Sequence, residues 1–147
     1  MNKIIAEAEK GQNAKQKSAK PNKKARTFLS DSVCHTAAKI AGDVNAKGIV
    51  GMTTSGYTAF KVSSYRPNAD IYMFSDDRSM LSTLNLVWGV KCYYYDKFTT
   101  TDETVYDVSE ILKADGRVEV GDIVINTGSM PLAKRYRTNM LKVTVID

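Results

Sequence analysis

Histidine occurs once in the 147 residues, at His35, and cysteine twice, at Cys34 and Cys92. Two thiols cannot build a disulfide framework, and with one imidazole they offer no recognised metal-ligand spacing, so no metal site is expected. His35 directly follows Cys34, so on a helix their side chains diverge by about 100° and make a poor nucleophile–base dyad. Most hydrolase chemistry is thereby disfavoured. Long apolar runs are missing too. No stretch approaches the ~18–20 residues of a membrane span, and nothing near Met1 resembles a secretory leader. A soluble, cytoplasmic protein without a membrane partner is expected.

What is present is ordinary globular material: 43% hydrophobic and 25% charged residues, enough for one domain with a modest core. The net charge of +5 is unevenly placed. Residues 1–26 carry eight Lys/Arg against two Glu, whereas the remaining 121 residues carry thirteen against fourteen Asp/Glu. The basic run of Lys15, Lys17, Lys20, Lys23, Lys24 and Arg26 contains no aromatic residue. A solvated linker explains it better than a nucleic-acid arm, so nucleic acid is not an expected partner.

Residues 1–9 read as a short helix with Ile4, Ile5 and Ala8 on one face, too short to persist alone in water. Residues 10–26 lack any apolar period and read as a flexible basic linker. The ordered domain is expected over residues 27–147. Ser30 or Asp31 can cap a helix reaching about Val44, with Val33, Ala37, Ile40 and Ala41 at helical spacing. A strand over 48–52 leads through Thr53-Thr54-Ser55-Gly56 into a helix over 57–65, and Pro67 breaks the chain after Arg66. A second strand over 71–74 precedes a helix capped by Ser75 or Asp76 and carrying Met80, Leu81, Leu84 and Val87. Gly89 closes that helix before a strand over 90–95. Thr101 or Asp102 caps the next helix, and strands follow at 123–125 and 140–145. Strand–helix alternation implies right-handed parallel crossovers, while the last two strands lack a helix between them. The expected fold is an α/β, three-layer α/β/α sandwich with a mixed sheet of about five strands, the last antiparallel.

In such a sheet, ligands gather where strands run into helix N-termini. Thr53, Thr54, Ser55, Gly56, Tyr57 and Thr58 occupy that position after the first strand. Their hydroxyls and backbone N–H groups could cradle a phosphate, or form an ordinary Ser/Thr-rich cap. It is not a Walker loop, since no Lys follows the glycine. Lys134, Arg135 and Arg137, between the last two strands, offer a second anion contact or else a solvated hairpin tip. Asp76, Asp77, Asp102 and Glu103 read as helix-start charges rather than an acid/base pair. Trp88 and Tyr93-Tyr94-Tyr95 read as packing. No catalytic residue is expected.

Five strings in order, Thr53-Thr54-Ser55-Gly56-Tyr57-Thr58-Ala59, Tyr65-Arg66-Pro67, Trp88-Gly89-Val90, Gly121-Asp122 and Thr138-Asn139-Met140-Leu141-Lys142-Val143, resemble the C-terminal domain of pyruvate kinase. The match runs from about Phe28 to Val145, and residues 1–9 are similar to that family's last barrel helix. The resemblance implies a regulatory, oligomer-forming domain whose turn at 53–58 takes the phosphate of an effector. It implies that phosphoryl transfer between phosphoenolpyruvate and ADP, with its Mg²⁺ and K⁺, belongs to a catalytic barrel. The chain is therefore expected to need no cofactor of its own and to catalyse nothing alone. Its implied partners are a phosphorylated small molecule, its own barrel in a longer enzyme and further copies of itself. Thr54 and Tyr57 stand where many fructose 1,6-bisphosphate-binding members carry a cation. The effector-closing segment of animal enzymes has no clear counterpart between Asp96 and Asp102, so the resemblance singles out no one effector. The alternative is a stand-alone sugar-phosphate or nucleotide sensor on the same fold.

Overall fold

A computed structural model describes residues 2–13, 20–97, 99–131 and 134–147. The elements in order are α1 (Asn2–Asn13), α2 (Phe28–Asp43), β1 (Gly48–Met52), α3 (Tyr57–Ser64), β2 (Asp70–Ser75), α4 (Arg78–Leu84), β3 (Val90–Tyr94), α5 (Thr101–Ala114), β4 (Ile123–Gly128) and β5 (Met140–Val145). The five strands lie in the order β3-β2-β1-β4-β5. β1 pairs in parallel with β2 and β4, and β2 with β3, whereas β5 runs antiparallel to β4. The mixed α/β sheet with an antiparallel last strand matches the sequence reading.

The central strands alternate between two apolar faces, which a sheet covered on both sides requires. Ile49, Ile71, Met73 and Ile125 meet Cys34, Ala37 and Ala41 of α2, Ala59 and Val62 of α3, and Leu84 of α4. Val50, Tyr72, Phe74 and Val124 face the other way, onto Val108 and Leu112 of α5. The tyrosine run packs as expected in part: Tyr93 stacks on Phe74 with ring centroids 5.1 Å apart, and Tyr95 is buried. Tyr94 is instead half-exposed, with the Arg78 guanidinium 4.0 Å above its ring. A Cβ at Gly48 would come within 2.4 Å of the Tyr72 ring, so β1 needs a glycine there to lie beside so large a neighbour.

The helix starts differ from the sequence reading. α2 begins at Phe28 after Thr27, and Ser30 and Asp31 are buried inside its first turn rather than capping it. Asp77, not Ser75 or Asp76, caps α4, accepting from the N–H groups of Ser79 at 2.9 Å and Met80 at 3.1 Å. α4 also stops at Leu84, which leaves Val87 in the following turn. Thr100, not Thr101 or Asp102, caps α5 in a reciprocal box with Glu103. Each start is dense in Ser, Thr and Asp, so the sequence offers several candidate caps within a few residues.

At the N-terminus, α1 extends to Asn13, four residues into the segment read as linker. Ile4 and Ile5 on α1 are exposed. Residues 14–19 of that linker lie outside the described residues, as do 132 and 133 in the β4–β5 loop. Within 20–26 the chain turns, with Ala25 N–H donating to Asn22 O.

Candidate functional site

Four parallel strands deliver their carboxyl ends to one edge of the domain, and the loops leaving β1, β2, β3 and β4 surround a cleft of about 260 Å³ there. Its floor is the turn after β1. Thr53 is buried, and its hydroxyl accepts from Gly56 N–H at 2.9 Å. Gly56 takes up the left-handed φ of 77° and leads into α3. Thr54 and Ser55 are left exposed at the apex, and the first N–H groups of α3 have no intrahelical acceptor. The positive end of α3 therefore opens into the cleft.

The opposite wall is the loop between β4 and β5. Asn139 ties its base: its Oδ1 accepts from Met130 N–H at 2.7 Å, and its Nδ2 donates to Met130 O at 3.0 Å. The two walls are joined by the hydroxyls of Thr58 and Thr138, 2.6 Å apart and buried. Arg135 adopts a φ of 47° and donates from Nη2 to Asp76 Oδ2 at 2.9 Å. Arg137 and Tyr136 line the cleft from the same loop.

Thr53, Thr54, Ser55, Tyr57, Thr58, Arg135 and Arg137 are thus brought to one cleft. Two of the residues singled out from sequence are not among its lining. A Cβ at Gly56 would meet Met80 Sδ at 2.9 Å and Leu84 Cδ2 at 3.2 Å, so this glycine faces α4 rather than an incoming ligand. Lys134 stands exposed outside the lining. The Thr58 hydroxyl, one of those that could have cradled a phosphate, is instead buried against Thr138. Asp76, one residue before the Asp77 cap of α4, is also the ion-pair partner of Arg135.

Sequence reasoning missed several contributors. Asp76 follows β2 as Thr53 follows β1, so the carboxyl-end rule could have found it. Tyr136 sits within the basic run that was singled out. Lys97 lines the cleft beyond β3 and lies 3.5 Å from Asp107. Thr138 and Thr27 carry no local signal.

Beneath the cleft lies Asp31, almost fully buried. The hydroxyl of Tyr57 donates to its Oδ1, that of Thr27 to its Oδ2 at 2.8 Å, and Lys61 Nζ stands 3.5 Å away. Burial pushes this carboxyl up, but the hydrogen bonds from Tyr57 and Thr27 and the nearby ammonium outweigh it and hold it below the usual carboxylate range. Both donors also line the cleft, so Asp31 fixes that wall from below. One turn along α2, burial and the Asp31 charge push the Cys34 thiol up to about 12, which keeps it protonated and unreactive. Among the described residues, no group of three or more His, Cys, Asp or Glu is placed to hold a metal ion, and no helix is long and apolar enough to cross a membrane. The exposed hydroxyls of Thr54 and Ser55 and the guanidinium groups of Arg135 and Arg137 are groups that can hydrogen-bond an anion.

A family model described as pyruvate kinase, alpha/beta domain, matches residues 31–144. The pyruvate kinase of Staphylococcus haemolyticus is 32% identical over 146 residues, which cover 99% of this chain and 25% of that protein. That of Lactobacillus delbrueckii subsp. bulgaricus is 31% identical over 118 residues, covering 80% of this chain and 20% of the relative. A solved pyruvate kinase from Cryptosporidium parvum shares the fold, with a TM-score of 0.75 at 24% identity over 86% of this chain and 24% of that one. The chain spans a fifth to a quarter of the length of these relatives.

Proposed function

This chain belongs to the pyruvate kinase alpha/beta domain family, and from that premise we propose that it is a regulatory unit that binds a phosphorylated small molecule. The observation that carries this reading is the convergence of the turn at 53–58 and the cationic loop at 134–138 on one cleft. A phosphoryl group seated at the start of α3 would accept from backbone N–H groups and from the hydroxyls of Thr54 and Ser55. Arg137 would take up further charge on the opposite wall.

In the same reading, phosphoryl transfer between phosphoenolpyruvate and ADP, with Mg²⁺ and K⁺, is work for a catalytic barrel that this chain does not supply. Such transfer depends on positioning around a metal, which the resemblance assigns to the barrel. The purified chain is expected to show no phosphoenolpyruvate-dependent ATP synthesis. Its partners are then that barrel, toward which the exposed Ile4 and Ile5 of α1 could pack, and further copies of the domain, for which β5 leaves an open sheet edge with Val143 and Val145 half-exposed. Glycolysis in the cytoplasm is the setting that follows.

Calorimetry with fructose 1,6-bisphosphate, glucose 6-phosphate, ribose 5-phosphate and AMP tests the reading. At least one is expected to bind below millimolar, and that binding should weaken when Arg137 is replaced. If none does, the turn is only a helix cap and the domain is architectural.

A further inference from the structure

An anion-binding cleft that already contains a carboxylate needs an explanation, and Asp76 is that carboxylate. Its Oδ2 lies 2.9 Å from Arg135 Nη2, and both residues line the cleft. β2 and β4 flank β1 in the sheet, so the loops that follow them stand on either side of the turn at 53–56. The ion pair between those loops therefore spans the floor on which a phosphoryl group would rest. Asp76 is not needed for local structure, because Asp77 caps α4. Among the described residues, the one hydrogen bond of its side chain is to Arg135.

We infer that Asp76 is an internal competitor for the ligand, occupying Arg135 until a second anionic group on the ligand displaces it. The inference rests on the proposed binding of a phosphorylated molecule in this cleft. A single phosphoryl group can be held by the turn and Arg137 without disturbing the pair. A ligand with two phosphoryl groups gains Arg135 only by breaking it. A phosphoryl group carries about −1.5 to −2 charges with three acceptor oxygens, against one charge on a carboxylate, so it wins the exchange. A ligand whose second group is neutral, or only a carboxylate, does not. Asp76 thus sets a threshold at Arg135: the cost of breaking the pair falls on any ligand that engages Arg135, a second phosphoryl group outweighs it, and a ligand with one phosphoryl group does not meet it. It is a positioning residue that acts through Arg135, not a contact for the ligand.

Four proteins decide the matter by calorimetry: the parent chain, Asp76→Asn, Arg135→Gln and the double variant, each titrated with fructose 1,6-bisphosphate and with glucose 6-phosphate. Asp76→Asn should tighten fructose 1,6-bisphosphate about fivefold, the scale of one exposed ion pair removed from competition. It should leave glucose 6-phosphate within about twofold. Arg135→Gln should weaken the bisphosphate, and in that background Asp76→Asn should add nothing. Thermal midpoints of all four should agree within about 2 °C, since the pair is at the surface. An equal gain for both ligands, or a gain that persists without Arg135, would mean that Asp76 acts only as bulk negative charge, and the inference fails while the binding site stands. If neither ligand binds the parent or Asp76→Asn below millimolar, the binding reading fails and takes this inference with it.

Discussion

The turn after β1 is anchored at both ends by buried hydroxyls, Thr53 and Thr58, whereas the loop between β4 and β5 carries its cations at the surface. In the turn, Thr53 spends its hydroxyl on Gly56 and Thr58 spends its own on Thr138, so only Thr54 and Ser55 present hydroxyls outward. In the loop, Arg135 is ion-paired to Asp76 and Arg137 lines the cleft. On the proposed function the difference separates two jobs. The turn would supply a fixed place for an anion, and changes there should be felt as stability. The loop would supply charge, and changes there should be felt as affinity and choice of ligand.

The comparison breaks most visibly at Gly56. Gly56→Val places a branched side chain at a φ of 77° and against Met80 and Leu84. We expect a loss of about 2–4 kcal/mol in urea unfolding, and a neutral result would mean that the turn is not locked against α4. Asp31→Asn should come next, at about 2 kcal/mol, because a buried carboxylate then loses charge-assisted bonds to Tyr57 and Lys61. It also has a pH signature. The carboxyl is held below its ordinary value of 3.8 in the folded chain, so its contribution is complete above that value and is lost as pH falls through the lower folded value. The acid limb of the stability profile below about pH 4 should therefore be shallower in Asp31→Asn than in the parent.

Thr58→Ala should cost about 1–2 kcal/mol by leaving the buried Thr138 hydroxyl unpartnered. Adding Thr138→Ala should cost less than the sum of the two single changes. Additive losses would show that the two loops are not fastened there. The smallest effect on stability belongs to the loop: Arg137→Gln should leave the thermal midpoint unchanged while weakening a phosphorylated ligand about fivefold to tenfold. A fall in midpoint without a change in affinity would reverse the roles assigned to the two loops.

The alternation of strands with helices made the parallel crossovers readable, and the missing helix between the last two strands made the antiparallel last strand readable, whereas the order β3-β2-β1-β4-β5 came only with the structure. That the turn at 53–58 and the loop carrying Arg135 and Arg137 lie at one edge of the sheet was readable as well, since the carboxyl-end rule depends only on knowing where strands stop. What the chain's local pattern hides is how hydroxyls and carboxylates are spent. Thr58 and Thr138 meet across 80 residues, and no spacing rule predicts that. Asp76 and Asp77 are adjacent and chemically alike, yet one caps a helix and the other crosses a cleft. Which way Gly56 faces depends on α4 packing behind it, and its place in the Thr53–Thr58 string does not reveal that.

The central claim is that one cleft, built by these two loops, receives a phosphorylated ligand. Amide NMR of the ¹⁵N-labelled chain titrated with the tightest-binding member of the four-ligand panel tests it directly. The account predicts shifts concentrated at 54–58 and 134–138, with the β5 edge and α1 unmoved. Shifts centred on another part of the sheet, or none at any of these amides at saturating ligand, would contradict it.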